Sequence, residues 1–135
     1  MRAKDPVGHK PKQYHSEANI QNQIRVALSE HGIVFRTNAG EFWQGTLVYS
    51  EEFHQRVLIN LRRVEGMPAG FSDLLFIGHS EVAFIETKTA TGKEREAQLR
   101  FLKLMARMGH RAGVARNVKD ALKIIKEGTD DAVVD

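Results

Sequence analysis

The sequence predicts a mixed α/β domain, a small mixed sheet flanked by helices, and three observations carry that prediction. Short runs of strand-forming residues alternate with segments of helical periodicity, in the order α-β-(ββ)-β-β-α-β-α. Turn-forming residues separate the runs, notably Gly32, Gly66-Met-Pro-Ala-Gly70 and Gly78-His-Ser-Glu81. With 135 residues, 41% of them apolar, the chain is long enough for one core and too short for two typical domains. The expected organisation is a flexible basic arm over 1–15, a domain over 16–128 and a C-terminal tail over 129–135.

The first fifteen residues hold Arg2, Lys4, Lys10 and Lys12, with His9 and His15, against the single acid Asp5. Almost nothing there is fit for burial, so the segment reads as a basic arm, either a DNA contact or a tail without a role. Ser16 is a suitable N-cap, and Ile20, Ile24, Ala27 and Leu28 recur at helical spacing until Gly32. Glu17, three residues before Ile20, falls on or near the stripe that faces the core. In the first turn it also complements the helix macrodipole, worth about 0.3–1 kcal/mol.

Ile33-Val-Phe-Arg36 reads as a strand. Thr46-Leu-Val-Tyr49 and Arg56-Val-Leu-Ile-Asn-Leu-Arg-Arg63 have strand composition and form a hairpin. Two placements fit it: lining a substrate groove, with Trp43, Arg62 and Arg63 as candidate contacts, or extending the main sheet.

Asp73 to Gly78 and Val82 to Lys88 form the most informative hairpin. With the turn centred between His79 and Ser80, paired residue numbers sum to 159, which sets Asp73 opposite Glu86. Directly opposed residues have Cβ atoms about 4.5–5.5 Å apart, and like charges there repel. A hard divalent cation, Mg²⁺ or Mn²⁺, would compensate two such carboxylates. Lys88 projects from the same strand face as Glu86, so an ammonium sits beside the metal position.

The helix expected from Lys93 to Met108 sets Ala97, Phe101, Leu104, Met105 and Met108 on its core side. Gln98 aligns with Leu102 and Met105, so its amide can point back toward the hairpin end. Ala112-Gly-Val-Ala115 reads as a strand. Val118 to Glu127 reads as a helix burying Ala121, Leu122, Ile124 and Ile125.

At these residues the chain resembles the virus-type replication-repair nuclease (VRR-NUC) domains of the PD-(D/E)XK superfamily. The pattern runs over most of the chain: an acid in the first helix, G-x-x-D, E-x-K, then a glutamine in the following helix. Here these are Glu17, Gly70 with Asp73, Glu86 with Lys88, and Gln98. No proline immediately precedes Asp73, which departs from the superfamily's name and suits this family. The resemblance implies a restriction-endonuclease-like core and a metal-dependent endonuclease acting on branched DNA, most specifically a Holliday-junction resolvase. Asp73, Glu86 and the Thr87 backbone carbonyl would hold Mg²⁺ or Mn²⁺, with Glu17 reaching it through water. Lys88 would orient water and stabilise developing charge, and Gln98 would orient Lys88 or the nucleophile. Products would carry 5′-phosphate and 3′-hydroxyl ends. Resolvases of this kind use two active sites, and apolar strand residues in the 46–61 region are suited to pairing across a two-fold axis, so a homodimer is expected.

Composition narrows the alternatives. Cysteine is absent and the six histidines include no H-x-x-x-H pair, which removes disulfide frameworks and thiolate zinc sites. No apolar run approaches a membrane span and the first residues lack a signal-peptide core, so a cytoplasmic protein without membrane partners is expected. The net charge of +3 permits nucleic-acid binding without requiring it. Two rivals remain: a flap or duplex-nicking nuclease on the same fold, and a non-catalytic DNA-binding module.

Overall fold

The computed structural model describes residues 16–131 and 133, so the arm expected over 1–15 lies outside the described residues. The elements follow the expected order: α1 (Glu17–Leu28), β1 (Ile33–Arg36), β2 (Glu41–Ser50), β3 (Gln55–Glu65), β4 (Leu74–Ile77), β5 (Val82–Thr87), α2 (Glu96–Arg107), β6 (Arg111–Ala115) and α3 (Val118–Glu127). Four strands form a mixed sheet in the order β1-β4-β5-β6. The first three are antiparallel, and β6 returns parallel to β5 after the α2 crossover. No helix among the described residues is long and apolar enough to cross a membrane.

Alternation along the strands divides the sheet into two apolar faces. Leu74 and Phe76 of β4, Ala83 and Ile85 of β5 and Ala115 of β6 pack against α1 and α3, where Ile20, Ile24 and Leu28 meet Ala121, Ile124 and Ile125. On the opposite face Ala112 and Val114 pack with Leu102, and Phe84, Phe101 and Met105 lie against them. Ser16 caps α1 by accepting a hydrogen bond from the Asn19 N–H, as its position predicts. Asn117 caps α3 in the same way through the Asp120 N–H.

Register between β4 and β5 follows the expected count: Leu74 pairs Ile85 and Ile77 pairs Val82, with Gly78 donating its N–H to the Glu81 carbonyl across the turn. Asp73, one residue before β4, therefore stands at the level of Glu86.

Three expectations need correction. The helix starts at Glu96 rather than Lys93, and its buried face is centred on Leu102, while Leu104 and Met108 are 46% and 60% exposed. The helix is rotated from the expected stripe because Gln98, one turn before Leu102, is bonded to the sheet and turns that face inward. Secondly, of the two placements left open for the hairpin, extension of the main sheet is excluded: β2 and β3 form a separate two-stranded arm, longer than expected at both ends. A bulge in β3 opposite Gly45, with Asn60 at φ 54°, offsets the ladder between Gln44 and Thr46. Thirdly, the packed unit extends beyond the boundary expected at residue 128: the Asp130 N–H donates to the Ala112 carbonyl and Val133 is buried beside Leu102.

Gly70 fixes how the Asp73 segment approaches α2. Its φ is +92°, and a Cβ there would lie 2.8 Å from the Ala97 carbonyl oxygen. Phe71 follows immediately and packs against Phe101 and Phe84, at ring-centroid distances of 4.5 and 5.8 Å. Gly70→Ala is expected to cost about 1–3 kcal/mol through backbone strain alone. The Ala97 contact adds to this by displacing the start of α2. Urea unfolding measures it, and an unchanged midpoint would contradict the close approach.

Candidate active site

The sheet's alternation places consecutive residues of Glu86-Thr87-Lys88 under different helices. Glu86 shares its face with Phe84, toward α2, whereas Thr87 shares its face with Ile85, toward α1. From α2, Gln98 donates its amide N–H to Glu86 Oε1 at 2.8 Å, and its own Oε1 accepts the Arg95 N–H at 2.9 Å. The Gln98 amide thus closes the first turn of its helix and reaches the strand at once. From α1, the Gln21 amide donates to the Thr87 hydroxyl at 3.3 Å.

Asp73 is held from β5. Its Oδ2 accepts both the Thr87 backbone N–H, at 2.9 Å, and the Thr87 hydroxyl, at 2.8 Å. Its own backbone carbonyl accepts the Thr37 N–H at 2.9 Å, and the Thr37 hydroxyl donates to the Ser72 carbonyl. The segment before β4 is therefore clamped from both neighbouring strands. A residue's N–H and C=O emerge on the same side of an extended strand, so the Thr87 carbonyl also opens toward Asp73.

Glu86 is the electrostatic anomaly. It is 1% exposed, its Oε1 lies 3.5 Å from the Lys88 ammonium, and its Oε2 is buried without a hydrogen-bond partner among the described residues. Burial first, and then the Asp73 carboxylate, raise its pKa from 4.5 to about 8, against the opposing pull of Lys88. Lys88 is itself nearly buried.

These groups open into one cleft of about 580 Å³ whose lining includes Glu17, Asp73, Glu86, Lys88 and Gln98. All five side chains expected to form a site thus share a cavity. Asp73, Glu86, Lys88 and Gln98 belong to one hydrogen-bonded and ionic cluster, Asp73 joining it through Thr87 and the adjoining strand. Glu17 is different. It is exposed at the start of α1 rather than turned to the core, because the apolar packing of that helix begins at Ile20, and the cleft opens before it. No group of three or more acidic or histidine side chains among the described residues is close enough to hold a metal together. Gln98, expected to orient Lys88 or the nucleophile, donates its amide N–H to Glu86.

The residues present fit a hard divalent cation on one observation above all, the orphaned Glu86 Oε2. A buried carboxylate with one oxygen unpaired beside a second carboxylate is costly, and the Lys88 ammonium near Oε1 offsets only part of that cost, since the pKa stays raised. Asp73 and Glu86 supply hard oxygen donors of the kind Mg²⁺ and Mn²⁺ select.

Several lining residues carried no site signal in the sequence. Gln21 lies one helical turn after Glu17 and shares its face, which was the only available pointer. Arg95 lines the cleft across from α1 and β1, and Arg36 lines it from the end of β1. Neither arginine makes an ion pair with a described residue. Trp43, Arg62 and Arg63 are not in this lining; they lie on the β2–β3 arm, where Arg62 bonds Gln44 and Arg63 pairs with Glu41. The arm's Phe42 does reach the cleft. No protein-family model and no curated protein matches this chain.

Proposed function

We propose that this protein is a metal-dependent endonuclease that hydrolyses phosphodiesters in branched DNA on a core of the PD-(D/E)XK type, and the unpaired Glu86 Oε2 beside Asp73 and Lys88 is the observation that carries the proposal. Asp73, Glu86 and the Thr87 carbonyl would hold Mg²⁺ or Mn²⁺, with Glu17 acting at the cleft rim through water. When bound, the cation would make water acidic enough to attack near neutral pH and offset charge on the phosphate oxygens. Lys88 stays beside Glu86 and presents its ammonium to the charge that develops on the phosphate. Gln98 holds Glu86 in place through Oε1 and leaves Oε2 for the cation.

Arg36 and Arg95 support a polyanionic substrate, since two unpaired guanidinium groups flank the carboxylates in the same cleft. If each neutralises one phosphate, Arg36→Gln and Arg95→Gln should each reduce the slope of log affinity against log salt by about 0.9 on duplex DNA. Fluorescence anisotropy without divalent cation measures this. Unchanged slopes would take both residues out of the substrate path.

The arm supports a homodimer. An isolated two-stranded hairpin is marginal in water, yet this one exposes Trp43, Leu47, Tyr49, Phe53, Leu58, Ile59 and Leu61. Each of these side chains is about half exposed, so together they offer several hundred Å² of apolar surface, comparable with the ~800 Å² per partner of a standard interface.

One experiment tests function and assembly together: cleavage of strand-labelled four-way junction, flap and linear duplex in Mg²⁺ and Mn²⁺, with EDTA and Asp73→Ala as controls and light scattering for mass. The expected result is paired symmetrical nicks in the junction from a species of twice the chain mass, lost in both controls while DNA binding persists. Cutting of flaps or duplex alone would retain the site and reject the junction. Binding without cutting on any substrate would favour a non-catalytic DNA-binding module.

A further inference from the structure

Thr87 is fully buried, and its hydroxyl sits between two side chains from different elements, the Gln21 amide of α1 and the Asp73 carboxylate. A hydroxyl has a single proton to donate. The Gln21 amide nitrogen can only donate, so the hydroxyl oxygen accepts from it and the hydroxyl proton goes to Asp73 Oδ2. The chain of hydrogen bonds therefore has a fixed direction, from Gln21 Nε2 through Thr87 Oγ1 to Asp73 Oδ2.

The Thr87 backbone N–H aims at the same carboxylate oxygen, so Oδ2 takes two donors from one residue while no hydrogen bond from a described residue to Oδ1 is found. Both donors come from the rigid, buried end of β5. A carboxylate anchored through one oxygen presents the other in a fixed direction. Rotation of the Thr87 side chain would release one of the two anchors, and Gln21 is the group that opposes that rotation from outside the strand.

We propose that Gln21 is a positioning residue for the divalent cation, acting through the Thr87 hydroxyl to lock the Asp73 carboxylate with Oδ1 turned to the metal. The inference rests on the metal-site reading above and extends it to a residue that touches neither metal nor substrate. Groups that orient a metal-binding carboxylate in this way typically contribute 10–100-fold to metal affinity.

A double-mutant cycle on Mn²⁺ binding, titrated by calorimetry on the full chain without DNA, tests it independently of cleavage. Gln21→Leu removes the donor at similar size, and Thr87→Val removes the hydroxyl while keeping the shape and the backbone N–H. The expected result is at least about tenfold weaker Mn²⁺ binding in each single variant and no further loss in the double variant, because the two act in series. Thr87→Ser, which restores the hydroxyl, should recover most of the affinity. Gln21→Ala provides a second removal of the donor should the leucine disturb α1, and thermal melts without cation confirm that each variant is folded.

Wild-type affinity in both folded Gln21 variants would overturn the inference, as would losses that simply add in the double variant. In either case Mn²⁺ uptake by the unmodified protein leaves the metal-site reading intact. Absence of Mn²⁺ uptake by the unmodified protein would overturn the metal-site reading and, with it, the role of Gln21.

Discussion

Glu86→Gln is expected to separate stability from activity, making the cation-free protein more stable at alkaline pH while abolishing cleavage. The substitution keeps the shape of the side chain and removes a charge that burial and Asp73 both disfavour. A glutamine carbonyl can still accept from Gln98, and its amide N–H₂ can donate toward Asp73, replacing a repulsion by a hydrogen bond. At pH 9, where Glu86 is ionised, the gain should be about 3–5 kcal/mol, the scale of one uncompensated buried charge. At pH 4 it should nearly vanish, because the carboxyl is then protonated, and neutral like glutamine, in both the folded and the unfolded state. Cleavage should fall by at least about 10³-fold, the kinetic equivalent of several kcal/mol of metal-derived stabilisation. Urea unfolding in EDTA and single-turnover cleavage in Mn²⁺ measure the two effects. A variant that is destabilised at pH 9, or that cleaves at the native rate, would show that the charge of Glu86 is not what the site requires.

The residues that were legible in the sequence are those whose position follows from local counting. The β4–β5 register follows from a short turn and an alternating pattern, and it brings Asp73 level with Glu86 without any knowledge of the rest of the chain. The Ser16 cap and the Gly32 breaker similarly mark α1, whereas the Asn117 cap of α3 emerged only in the structure. Tertiary effects were not legible. The rotation of α2 buries Leu102 beside Phe101, Met105 and Ala106, with Gln98 bonded to Glu86 one turn earlier, and leaves Leu104 and Met108 exposed. The detachment of β2 and β3 was equally hidden, because their strand pattern reads the same on a free arm as at a sheet edge. Gln21 and Arg95 look like ordinary polar helix and loop residues until α1, β5 and the start of α2 converge on one cleft. Glu17, expected on or near the core-facing stripe and within reach of a cation through water, is exposed and lines the cleft.

The raised pKa of Glu86 also predicts that the cation-free protein loses stability as pH rises, opposite to the usual behaviour of a paired carboxylate. Below pH 4.5 the group is protonated in both folded and unfolded states and contributes no slope. Between 4.5 and about 8 the folded protein retains a proton that the unfolded chain has released. The contribution is therefore fully present below the unfolded value and is lost as pH rises toward the folded one, at up to about 1.4 kcal/mol per pH unit. Above about pH 8 the curve should flatten. A divalent cation that binds the ionised pair and not the unfolded chain, as proposed, should reverse the trend; at 100 times its dissociation constant it would add about 2.7 kcal/mol. Protons and the proposed cation would compete for the same oxygens, so apparent Mn²⁺ affinity should rise up to about tenfold per pH unit until pH 8 and then level off. Unfolding midpoints at pH 5.5, 7 and 8.5, in EDTA and in Mn²⁺, resolve both curves. A cation-free protein whose Glu86-dependent stability, taken as the difference from Glu86→Gln, does not change over this range would mean that the two carboxylates share their charge without cost, and the argument for a resident cation would lose its foundation.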